Sequence, residues 1–250
     1  QTIAKNITEW KANKETGINL EQKLQKYMDT YQLYSDIAHF KEAEEFVIMI
    51  EEELTQNEKE LEQNATYEKL MANLYNTLAI FYQNAKQNYN RAEMLFEKSL
   101  SFHKKINGEE SNATATLYNN LALFYKNVRQ KYDKAEEYYE KSLQIRKKVL
   151  GEEHPDTAFS YSNLALFYED VRQQYDKAEE YYEKCLQIRK KILGEEHPDT
   201  ADSYLNFGVF LKNVKKQEKE GRILISKAYE IYKKALGENH ERTKNALSWL

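Results

Sequence analysis

The feature that most constrains this chain is an internal repeat. Gly108, Gly151, Gly194 and Gly237 recur at a fixed interval of 43 residues. Tyr89, Tyr132 and Tyr175 keep the same interval, as do Leu78, Leu121, Leu164 and Phe207. The run LYNNLALFYKNVRQKYDKAEEYYEKSLQIRKKVLGEE from Leu117 returns as YSNLALFYEDVRQQYDKAEEYYEKCLQIRKKILGEE from Tyr161. A period in the range of about 20 to 50 residues marks a solenoid, in which each unit buries its apolar face only against its neighbours. Such a molecule is mostly extended surface, which implies holding partners rather than performing chemistry.

Each repeat reads as two helices. After Pro155, the residues Tyr161, Leu164, Ala165 and Tyr168 recur at helical spacing. A polar turn at Arg172-Gln173-Gln174 follows, and a second helix carries Ala178, Tyr182, Cys185, Leu186 and Ile188 on one face. The small residues Ala165 and Ala178 let two helix backbones approach closely. The repeat ends in Leu150-Gly151-Glu152-Glu153-His154-Pro155-Asp156-Thr157, which returns at Gly194 to Thr200 and decays at Gly108 to Thr114 and Gly237 to Thr243. Gly151 suits a left-handed helix C-cap, and Pro155 stands where a missing N–H costs little. The predicted fold class is all-α: a right-handed superhelical solenoid of antiparallel helix pairs.

The predicted organisation is an N-terminal segment over 1–65, repeats over 66–110, 111–153, 154–196 and 197–239, and a capping helix or truncated further repeat over 240–250. Within 1–65, Leu20 to Ile37 and Lys41 to about Leu61 read as a degenerate pair joined at His39-Phe40. Residues 1–19 read as a short helix around Ile3, Ile7 and Trp10. The chain begins at Gln1, which implies a piece of something longer.

Composition narrows the function. Two Pro and 7 Gly in 250 residues leave little material for hairpins. A net charge of -4 gives no reason to propose nucleic acid, and no run approaches the apolar length of a membrane span. The lone Cys185 fits a reducing compartment, so a cytoplasmic location is expected, including the cytoskeleton or a cilium. Three Asn-X-Thr sequons read as chance in an Asn-rich chain.

Tyr118, Leu121, Ala122, Tyr125, Ala135, Tyr139 and Ser142 match the pattern of tetratricopeptide repeats. The runs N-N-L-A-L-F-Y and L-x-I-R-K-K-V-L-G-x-x-H-P-D-T more closely resemble the kinesin light chain subtype, in which the second helix and the following loop are extended. The resemblance covers about 66–250, and weakly 20–61. The light chains also carry a long heptad segment that binds the motor, and residues 1–65 show no sustained heptads. The resemblance is therefore not taken to mean a kinesin subunit.

The resemblance implies that the first helix of each pair lines a concave groove, and that Asn at one position there bonds the backbone of an extended peptide. A carboxamide offers both donors and acceptors, as a peptide bond requires. Asn120, Asn163 and Asn206 hold this position, with Thr77 in the earliest repeat. The same register adds Asn119, Lys126, Asn127, Lys212 and Asn213 as peptide-binding candidates. The competing reading is that such an Asn bonds only a neighbouring repeat.

Other candidates are read as structural. His154 and His197 lie a full repeat apart, which does not suit a metal site, and read as turn and cap residues. Cys185 stands where Ser142 and Ser99 stand, at a packing position. Glu136-Glu137 and Glu179-Glu180 read as solvated faces near helix starts. No phosphate loop, triad or metal-ligand cluster is visible, so neither an enzyme nor a cofactor is expected. The expected function is a non-catalytic scaffold binding a peptide segment of a protein partner in the groove. The alternatives are a structural subunit of a large ciliary or microtubule-associated complex, or the sensor arm of a larger signalling protein.

Overall fold

The computed structural model describes residues 19–36, 40–57 and 65–250. The expected helix over 1–19 and the junction at His39 lie outside the described residues. The chain divides into two compact units, one up to Phe102 and one from His103 onward, each taken by itself.

The first unit contains α1 (Leu20–Asp36), α2 (Phe40–Gln56), α3 (Ala65–Asn84) and most of α4 (Tyr89–Asn107). α1 packs on α2 and on α3. Leu24, Tyr27, Phe46, Val47 and Ile50 form the core of the first pair. The rings of Tyr27 and Phe46 lie 6.4 Å apart. The degenerate pair expected from the sequence is therefore present, although α2 ends at Gln56 rather than near Leu61.

The second unit holds three full pairs and a final helix. In order they are α5 (Asn112–Phe124), α6 (Tyr132–Leu150), α7 (Pro155–Phe167), α8 (Tyr175–Leu193), α9 (Pro198–Asn213), α10 (Glu218–Leu236) and α11 (Glu241–Ser248). Each helix packs on the next along the chain. Among the described residues there is no strand. The alanines expected at a close helix approach, Ala165 and Ala178, are fully buried, as are their counterparts Ala122 and Ala135.

The repeat junction shows why the helices start and stop where they do. His154, His197 and His240 are the N-caps, each ring Nδ1 accepting from the backbone N–H two residues on at 3.1 to 3.2 Å. Ser111 serves the first full pair of the unit, accepting from Thr114 N at 3.1 Å. The junction also contains a bond the sequence reading passed over. Thr114, Thr157, Thr200 and Thr243 each donate Oγ1 to the carbonyl of the junction glycine at 2.8 Å. This satisfies a carbonyl that the helix end would otherwise leave open.

Two local expectations change. Gly151 has φ 92 and ψ 164, so it does not adopt the left-handed helical cap. It occupies the extended region of positive φ that is essentially reserved to glycine. The turn after the first helix is also more than a polar connector. Tyr125–Arg129 and Tyr168–Arg172 continue their helices as single π-helical turns. Lys131 and Gln174 then donate to carbonyls six residues back, at 3.0 Å. The left-handed residue there is not glycine but Gln87, Gln130, Gln173 and Lys216, again one repeat apart. Each costs about 1–2 kcal/mol relative to a right-handed residue, which the closed turn and the repeat packing must offset.

Candidate functional site

The expected binding face lies on the first helix of each pair. In the second unit, side-chain bonds tie α5 to α7 and α9 to the chain after α11. Asn163 Nδ2 donates to Asn119 Oδ1 at 2.6 Å, joining α7 to α5. Lys126 Nζ meets Asp170 Oδ2 at 2.9 Å across the same two helices, about two turns further on. Lys212 Nζ donates to the Trp249 carbonyl at 2.6 Å, joining α9 to the chain after α11.

The candidates separate by burial. Asn119 is only 4% exposed, and Ser162 and Leu205 at the same register are also buried. These positions point into the stack of first helices, and Asn119 reaches the face only through Asn163. Asn120, Asn163 and Asn206 are half-buried. Asn127, Asp170 and Asn213 are exposed. Leu123 is exposed, with Leu166 and Val209 half-buried beside it in register. The surface therefore has an apolar line flanked by amides on one side and by Asn127, Asp170 and Asn213 on the other. In the first unit, Thr77 is half-buried on α3 and Ile80 is exposed one turn later.

One carboxylate on this face is unusual. Glu169 is half-buried and accepts from Tyr182 Oη at 2.6 Å. Burial pushes its pKa up, with Asp170 adding to the shift while Tyr182 and Lys126 oppose it. Tyr182 is itself buried, and the same surroundings raise its pKa.

Polar groups that link neighbouring repeats also recur with the period. Arg172 reaches back to Asp133 at 2.5 Å and Glu136 at 2.6 Å. One repeat on, Lys215 reaches Asp176 at 3.1 Å and Glu179 at 2.7 Å. Glu136 and Glu179 are thus bridges between repeats rather than simply solvated charges, and Glu136 also accepts from Tyr168 Oη at 2.8 Å. Arg146 is 4% exposed and bonds residues of both α5 and α7. The sequence reading missed Arg146, although its recurrence as Arg189 was a signal. Cys185 is buried as expected, and burial pushes its thiol pKa up. Among the described residues no group of three metal-ligating side chains occurs, and no helix is long and apolar enough to cross a membrane.

The arrangement can hold an extended chain by apolar contact and amide hydrogen bonds. Comparison with known proteins bears on the fold. The tetratricopeptide repeat family model matches residues 70–126, 114–172 and 160–211. No curated protein matches. Among solved structures, BtubC from P. vanneervenii is similar at 23% identity and a TM-score of 0.72, over 96% of this chain and 91% of that one. A kinesin light chain-like protein of Podosopora anserina with nearly identical TPR-like repeats gives 23% identity and a TM-score of 0.68, over 86% of this chain and 98% of that one. A signal transduction ATPase from Pyrococcus horikoshii, which has a tetratricopeptide repeat sensor, gives 18% identity and a TM-score of 0.59. That match covers 98% of this chain and 38% of the ATPase. At these identities the likeness is one of fold. The helix pairs, the junctions recurring every 43 residues and the matched family model lead to one conclusion: the chain belongs to the tetratricopeptide repeat family.

Proposed function

We propose that the chain is a non-catalytic scaffold that holds a peptide segment of a partner protein against the first-helix face. The fold is one typical of protein–protein interaction. The observation that carries the finer reading is the register of the second unit. Leu123, Leu166 and Val209 form an apolar line over α5, α7 and α9, with half-buried carboxamides at Asn120, Asn163 and Asn206 beside it. Apolar contact supplies affinity, and the amides fix the register of an extended backbone. The Asn163–Asn119 bond leaves the Asn163 carbonyl oxygen as the side of that amide open to a ligand N–H.

The test is a peptide library displayed against the intact protein. Selected peptides should lose about tenfold or more in affinity when Leu123 and Asn127 are both changed to Ala. They should be unaffected by Glu183→Ala, an exposed change on a second helix. Peptides indifferent to the Leu123 and Asn127 change would sink the reading. A second reading, the sensor arm of a larger signalling protein, has the fold likeness to the Pyrococcus horikoshii ATPase behind it. The full-length gene separates the two.

A further inference from the structure

A pocket of about 390 Å³ lies between the α8–α9 turn and α10, lined by residues that include Glu195, Glu196, Tyr204, Lys227, Glu230 and Lys234. The repeat supplies its own reference for what this place contains. Tyr118 Oη donates to Glu109, and Tyr161 Oη donates to Glu152. Lys141 pairs with Glu137 one turn back at 2.7 Å, and Lys184 pairs with Glu180 at 2.6 Å. In the last full repeat these positions are Tyr204 and Lys227, and both carboxylate partnerships are gone. Tyr204 is 2% exposed, and its hydroxyl has no hydrogen bond of acceptable geometry among the described residues. Glu195, the counterpart of Glu109 and Glu152, pairs with Lys190 at 2.7 Å, as they pair with Lys104 and Lys147 at 2.9 Å, but unlike them it does not accept from the tyrosine. Lys190 also lies near the Tyr204 hydroxyl. An ammonium carries donors only, so the phenol proton still has no acceptor. Lys227 has Ile223 one turn back, where its predecessors have Glu. Its ammonium stands 5.4 Å from the Tyr204 ring centroid.

We infer that this pocket binds the carboxylate side chain, Asp or Glu, of a partner protein. The carboxylate accepts from Tyr204 Oη and from Lys227 Nζ, restoring the two bonds that the preceding repeats make internally. A buried hydroxyl without an acceptor is costly, and the ligand recovers that cost. The other charges at the pocket set its selectivity. Lys190 is held by Glu195, and Lys234 is held by Glu196 at 3.0 Å. Glu230 remains as a like charge, so the pocket takes one acidic group rather than an acidic run. On α9, Tyr204 lies roughly 200° around the helix from Asn206, so the pocket is separate from the first-helix face. The inference rests on the scaffold reading only in taking a protein segment as the source of the carboxylate.

The probe is N-acetylglutamate amide, titrated into the isotope-labelled intact protein while backbone amide shifts are followed by NMR. N-acetylglutamine amide is the neutral control. Saturable shifts at 195–196, 204 and 226–231 are expected with the acid, with binding at least about tenfold weaker for the control. Tyr204→Phe should melt no lower than the parent, since it deletes a buried hydroxyl whose proton has no acceptor, and should bind the acid about fivefold more weakly. Ile223→Glu, at a position 50% exposed, rebuilds the internal carboxylate and should also weaken the probe. Equal binding of both probes, the absence of saturable shifts, or undiminished binding by Tyr204→Phe would overturn the inference. The peptide experiment on Leu123 and Asn127 can succeed or fail independently of these outcomes.

Discussion

Gly208 on α9 and Gly221 on α10 meet backbone to backbone. A Cβ on Gly208 would lie 2.8 Å from the Gly221 carbonyl oxygen, and one on Gly221 would lie 2.6 Å from the Gly208 oxygen. The two preceding pairs have Ala at both positions, Ala122 with Ala135 and Ala165 with Ala178. The last full pair is therefore built for a closer approach than an alanine pair permits. Two effects compete in Gly221→Ala. Helix propensity favours Ala by about 1 kcal/mol, whereas overpacking costs about 1–3 kcal/mol. The obstacle is a backbone oxygen, which no rotamer change can move, so overpacking should win. Thermal melting of Gly221→Ala should show net destabilisation. A variant that melts higher would mean the helices can part at little cost.

Arg146 ties three helices together. It donates to Asn112 Oδ1 at 3.1 Å and Thr116 Oγ1 at 3.1 Å on α5, and to Ser160 Oγ at 2.9 Å and the Asp156 carbonyl at 3.2 Å on α7. Burial lowers its pKa, with Asp156 opposing the shift. Arg146→Met keeps the apolar stem but strands these acceptors, at an expected cost of about 2–3 kcal/mol. Arg189 makes the equivalent bonds only to Asp199 and Ser203 and is less buried. Arg189→Met should therefore cost clearly less in denaturant unfolding, and equal losses would contradict this account.

The raised pKa of Glu169 gives a pH signature. The folded state binds a proton at higher pH than the unfolded state does, so Glu169 weighs against folding at neutral pH. That penalty is relieved as pH falls from the raised value toward the ordinary 4.5. Glu169→Gln keeps an acceptor for Tyr182 and removes the buried charge. The variant should melt higher than the parent at pH 7, with the difference shrinking toward pH 4.5. A constant difference across that range would place the cause elsewhere.

Cys185 departs from its repeat in one atom. Ser99 donates to the Ala72 carbonyl at 2.7 Å, and Ser142 donates to the Ala115 carbonyl at 2.8 Å. Cys185 instead has its sulfur 3.3 Å from Ser203 Oγ. With its thiol buried and its pKa raised, Cys185 should react with a disulfide reagent only as fast as the repeat opens. Cys185→Ser should change stability by less than about 1 kcal/mol, since it can adopt the bond its neighbours make. Rapid labelling of the folded protein would contradict the packing.

The constant interval of the glycines was enough to predict an all-α chain of helix pairs, because a repeat that buries its apolar face only on its neighbours admits few architectures. The positions of Leu121, Ala122, Ala135 and Tyr139 identified the buried faces, and the recurring His-Pro-Asp run marked the helix starts. These are local or periodic signals. What the sequence did not display is how polar groups pair across repeats. Asn163 looked like a ligand-facing amide, yet its Nδ2 is bonded to Asn119, 44 residues earlier. Glu136 looked like a solvated charge, yet it anchors Arg172 of the next repeat. Such pairings depend on the rotation between successive first helices, and no single helical period encodes it. The same holds for Tyr204. Its place in the repeat was legible, but whether its hydroxyl reaches the junction carboxylate, as those of its two predecessors do, depends on how the side chains pack there and not on their spacing in the chain.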